Sequence, residues 1–105
     1  MTIAIVIERA IDRVHLMRAV HQLMDIPLRE VGNAIGSGKP IALFPLWGND
    51  HVEVAERLRK MIALDEVLAS FSFYELKDGE TFGPKSFKTP VQHVGNLLDS
   101  SEGFE

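Results

Sequence analysis

Four histidines, at positions 15, 21, 51 and 93, are the residues of this chain best suited to proton transfer or metal ligation. His15 and His21 are six residues apart, a poor spacing for one face of a helix, and no His-Glu-x-x-His run accompanies them. Surface or interfacial histidines are therefore expected, with no metal and no other cofactor. Asp50-His51 has the composition of a base with its orienting carboxylate. Adjacent residues at a helix start seldom face each other, however, and no Ser or Cys nucleophile pairs with them. Gly36-Ser37-Gly38-Lys39-Pro40 has the glycines and lysine of a phosphate loop but not its order. The hydroxyl residue is replaced by Pro40, and the loop follows a helix and precedes a strand, which is the arrangement of a helix C-cap and turn. Arg57, Arg59 and Lys60 form the densest basic cluster, but Glu53 and Glu56 interleave with them, as on a solvated helix face. No convergent catalytic set emerges, so the chain is not expected to be an enzyme, and no small-molecule substrate is evident.

These residues must be carried by a small fold. A chain of 105 residues with 46% hydrophobic and 25% charged residues has the composition of one ordinary globular domain with a modest core. The formal net charge of -4 disfavours nucleic acid as a partner. No run of apolar residues is long enough to cross a membrane, and the apolar opening stretch lacks the basic leader of a signal peptide. The absence of cysteine fits a reducing cytoplasm, the expected location.

Periodicity gives the elements. Thr2 to Glu8 reads as a strand with Ile3, Ile5 and Ile7 on one face. Asp12 is placed to cap a helix whose apolar stripe is Val14, Met17, Val20 and Leu23 or Met24, with Arg13, Arg18 and His21 turned away. Pro27 ends that helix and Leu28 to Ile35 forms a second, short one. Ile41 to Leu46 is a strand that, with Pro45 in it, is short or lies at an edge. Trp47 reads as a lid on the core beside a turn at Gly48-Asn49-Asp50. A third helix, about His51 to Ile62, has Asp50 and Glu53 at capping-box spacing and Val54, Leu58, Met61 and Ile62 as its buried stripe. Glu53 with Arg57 and Glu56 with Lys60 make i, i+4 pairs. Val67 to Leu76 alternates as a last strand. The fold class expected is α+β, a β-α-α-β-α-β two-layer sandwich with a three-stranded sheet and helices on one face. Residues 1–76 form the domain, and 77–105 an extended tail with one short helix, capped by Thr89, carrying Val91, Val94, Leu97 and Leu98. That helix either docks on the domain or awaits a partner, and Asp99 to Glu105 is expected to be loose.

The stretches VHLMRAVHQLMDIPLREV at 14–31 and NDHVEVAERLRKMIA at 49–63 resemble the C-terminal domain of the bacterial ribosomal stalk protein, with Ile3 to Ile7 fitting its opening strand. A similar topology is found in the adaptor of the Clp protease. The motifs shared are packing motifs, which specify a fold more than a role. The tail lies outside the resemblance. In that family the first two helices form a face that recruits translational GTPases. Carried over by position, the resemblance implies a face made of Val14, Met17, Arg18, His21, Pro27, Leu28 and Arg29. The family's arginine at the end of the first helix is His21 here, its lysine in the second helix is Gly32, and its loop glycines are Asp25 and Pro27. The basic face is thinned, and the family's dimerisation domain and hinge are not expected, so a stand-alone binding module is implied rather than the stalk itself.

The expected function is non-enzymatic protein binding. Met17, Pro27 and Leu28 would give apolar contact, and Arg13, Arg18 and Arg29 would steer an acidic partner such as a translational GTPase. Size and acidity alone suggest a second role, an immunity protein that neutralises a toxin by turning Glu53, Glu56, Asp65 and Glu66 toward a basic cleft.

Overall fold

The computed structural model describes residues 1–46 and 50–102. The readings of Trp47 as a lid and of Gly48-Asn49 as a turn lie outside the described residues. The element order is β1 (Thr2–Ala10), α1 (Arg13–Met24), α2 (Leu28–Ala34), β2 (Pro40–Pro45), α3 (His51–Ile62), β3 (Ala69–Leu76), β4 (Phe87–Thr89) and α4 (Val91–Glu102). The class is α+β, as expected, but the sheet has four antiparallel strands in the order β2-β1-β3-β4 rather than three. The extra strand is Phe87–Thr89, which pairs with Phe73–Glu75.

β1 is the centre of the sheet, which explains its unbroken run of Ile and Val. Ile3, Ala4, Ile5, Val6 and Ile7 are all buried, so both faces of the strand are covered. On one face Ile3, Ile5 and Ile7 join Phe71 and Phe73 and pack against Leu16, Val20, Val31, Leu58, Met61, Val94 and Leu98 from the helices. Ala4, Val6 and Ser72 lie on the other face. There the segment 77–86 returns toward the strands, and the Phe82 ring stands edge-on to Tyr74, which pairs with Ala4, at 5.0 Å.

Of the two expectations for the tail helix, docking on the domain is the one observed. Val94 and Leu98 are fully buried in the same core as Ile5, and each contributes roughly 1.5–3 kcal/mol of burial. That is enough to dock α4 rather than leave it waiting. Arg59 Nη2 to Asp99 Oδ1 at 2.8 Å and His93 Nε2 to Glu75 Oε1 at 3.1 Å tie it to α3 and β3. The helix therefore runs through Asp99 to Glu102, where loose chain was expected. Thr89 does not act as a free cap. It is the last residue of β4, 3% exposed, and its Oγ1 has no hydrogen-bond partner among the described residues.

Two strand ends also follow local chemistry. Pro45 lies on the edge strand, as its missing N–H requires. β3 begins at Ala69 rather than Val67, because Glu66 adopts φ 68° and turns the chain, leaving Val67 exposed. Where β4 is too short to pair with Phe71, Asp65 Oδ1 accepts the Phe71 N–H at 2.9 Å in its place.

Candidate functional site

The helical hairpin is fixed at both ends by small polar devices. Asp12 caps α1: its Oδ1 accepts the His15 backbone N–H at 3.2 Å, and its Oδ2 accepts from His15 Nδ1 at 2.7 Å. These hydrogen bonds, the side-chain one foremost, hold the Asp12 carboxyl below the usual carboxylate range. At the other end Asp25 takes a left-handed conformation, φ 56°, and its N–H closes on the His21 carbonyl. His21 Nδ1–H donates to the Ile26 carbonyl at 2.8 Å, so this ring braces the connecting loop. Pro27 then opens α2, with φ preset near the helical value.

The two helices approach at Gly32. A side-chain carbon there would lie 3.2 Å from both Arg13 Nη2 and Met17 Cε, so the missing Cβ is what lets these side chains cross α2. Arg13 Nη2 also reaches the Gly32 carbonyl at 3.5 Å, bringing a cation to the C-terminal half of a helix with no basic residue in its own last turn.

Of the residues expected to form a binding face, Arg13, Val14, Arg18, His21, Pro27, Leu28 and Arg29 are exposed, while Met17 is half-buried. Val14 is 58% and Leu28 44% exposed, large values for apolar side chains. The stripe assigned to α1 needs correcting on this point. The buried positions are Leu16 and Val20, and Val14 points outward. Apolar residues lie on more than one side of α1, and the choice of buried side is made by the Ile-rich face of β1 rather than by α1 itself. Val14, Arg18 and His21, at i, i+4 and i+7, share one exposed side of α1, while Arg13 and Met17 are the α1 side chains that reach Gly32 of α2. Among the described residues neither Arg18 nor Arg29 forms a salt bridge.

One part of this surface was not anticipated. Ile11 is 53% and Val67 64% exposed, and both sit beside the point where the Ile11 and Asp12 N–H groups bond the Leu68 carbonyl, at 2.8 and 3.1 Å. Ile11 precedes the cap, a position that often staples against the helix. Its partner in the turn is distant in sequence, so no local pattern marks the pair.

The other chemistry-bearing residues are used locally. His93 is engaged with Glu75, and among the described residues no group of three His, Asp or Glu side chains is arranged to hold a metal. Asp50 makes no capping hydrogen bond, contrary to the capping-box reading, and Glu53 pairs instead with Arg57 at 3.1 Å. Gly36 and Gly38, at φ 73° and 77°, make the turn that the loop composition indicated, with Ser37 Oγ donating to the Ala34 carbonyl. Of the acidic residues that would face a toxin, Asp65 is committed to Phe71 and Glu53 to Arg57. A cleft of about 550 Å³ carries Glu75, Lys77, Asp78, Glu80 and Lys85 beside Phe87. Its mixed charges include no nucleophile paired with a base.

No protein-family model matches the chain, and neither a curated protein nor a solved structure matches it.

Proposed function

We propose that this chain is a protein-binding module whose docking face is the α1–α2 hairpin. The observation that carries the reading is the presence of outward apolar side chains, Val14 and Leu28, on the same hairpin as arginines at 18 and 29 that form no salt bridge among the described residues. Apolar anchors ringed by cations suit a partner with an apolar socket in an acidic surface. The hairpin is braced from within, by Asp12, His21 and the close approach at Gly32, so little ordering is needed on binding. A translational GTPase, the partner of the stalk domains that the chain resembles, is the first candidate.

The test is affinity capture from an extract of the source cells, comparing the natural chain with Arg18→Glu/Arg29→Glu. The partner should be retained by the first and lost by the second, with both proteins equally folded by circular dichroism. Capture should also fall with rising salt. Equal capture by the two proteins would overturn the proposal.

A further inference from the structure

A second surface adjoins the α2 side of the hairpin, on the free edge of β2. Leu46 N–H bonds the Met1 carbonyl at 2.8 Å, and the register pairs Phe44 with Ile3 and Ala42 with Ile5. Antiparallel strands alternate between hydrogen-bonded and non-bonded pairs, so Phe44 and Ala42 turn their backbone groups toward β1. Leu43 and Pro45 turn theirs outward, where the sheet ends. Leu43 thus offers one N–H and one C=O at the edge, and Pro45 only a C=O.

Clefts flank this edge on both sides. One, of about 490 Å³, runs between α2 and β2 and is lined by Ile26, Glu30, Asn33, Ala34, Lys39 and Ile41. The other, about 600 Å³, lies on the side of Phe82 and is lined by Lys39, Pro40, Ile41, Leu43 and Phe82. Leu43 is 55% exposed there. An added strand sends alternate side chains to opposite faces, so its backbone would meet Leu43 while its side chains enter the two clefts in turn.

The geometry points to β2 as a docking edge for a short extended peptide of a protein partner, which adds as a fifth strand. The peptide is apolar at the positions facing Ile41, Leu43 and Phe82, and acidic next to Lys39, the one charged residue lining the second cleft. A second copy of this chain fits less well. Its own β2 would bring Ala42 and Phe44 to the α2 side, and both are already buried in their own core. Pro45 limits the pairing to a short stretch and blunts the edge against indiscriminate sheet growth.

The experiment selects binders from a displayed library of short random peptides, using the full chain as bait. Selected peptides should combine alternating apolar residues with an acid, and binding should slow exchange of the Leu43 amide hydrogen. Leu43→Pro should weaken them about tenfold or more while leaving the ladder to β1 intact, because the N–H it removes points outward. N-methylation of the peptide's own backbone at the paired position should weaken binding equally, a result that does not depend on any variant folding. Failure to select binders, binders whose amide footprint falls on α1 and leaves Leu43 unprotected, or self-association through β2 in place of peptide binding would overturn the inference.

Discussion

Replacing Thr89 by valine should stabilise the protein. Thr89 pairs with Phe73 at the edge of the core, is 3% exposed, and its hydroxyl oxygen meets no donor or acceptor among the described residues. A hydroxyl buried without a partner costs roughly 1–3 kcal/mol in mutational series. Valine has nearly the same shape, favours strands, and carries no group to desolvate. The expected gain is about 1–2 kcal/mol, and for a domain near 100 residues each kcal/mol raises Tm by about 4–8 °C. Urea unfolding of Thr89→Val should show a higher midpoint with an unchanged m value, and calorimetry a higher Tm. The opposite sign is equally informative. If the hydroxyl caps α4, as the Thr89-Pro90 sequence suggests, its removal should cost about 1 kcal/mol. A destabilised Thr89→Val would therefore refute the argument that this oxygen is an unpaired core group.

Two further outcomes follow from the same geometry. Asp65→Ala should cost about 1–3 kcal/mol in chemical denaturation, since it strands the Phe71 N–H beyond the end of β4, and the Phe71 amide should exchange faster. The Asp12 carboxyl is lowered by its bonds to His15, so its contribution to stability is present above the ordinary carboxylate range and is lost as pH falls through its folded value. NMR titration should place the Asp12 carboxyl below free aspartate, and fraying at His15 should accompany its protonation; an ordinary titration with no fraying would contradict the capping account.

The sequence was most legible where one residue type has one physical use. The isoleucine run of β1, the break at Asp25–Pro27, the edge position of Pro45 and the cap at Asp12 all follow from steric or hydrogen-bonding rules that act within a few residues. What was illegible depends on distant partners. Phe87–Thr89 is three residues long and followed by a proline, too short for an alternation signal, and becomes a strand only because β3 presents Phe73 and Glu75 to it. Leu16 and Val14 compete for the buried side of α1, and β1 decides between them. The outward orientation of Arg13, Arg18 and His21 was legible from spacing, whereas that of Val14, assigned to the buried stripe, was not. Asp50 shows the reverse case, a familiar spacing that makes no cap: at φ -103° and ψ 26° its backbone is outside the extended region from which an N-cap side chain reaches the first turn.

The most direct test of the docking face is an amide-exchange footprint of the chain with its captured partner bound. The account predicts that protection gathers on α1 and α2, at Val14, Arg18, Leu28 and Arg29, with α3 and α4 unchanged. Protection centred on α3 around Glu53 and Glu56, with the hairpin exchanging as in the free protein, would contradict it.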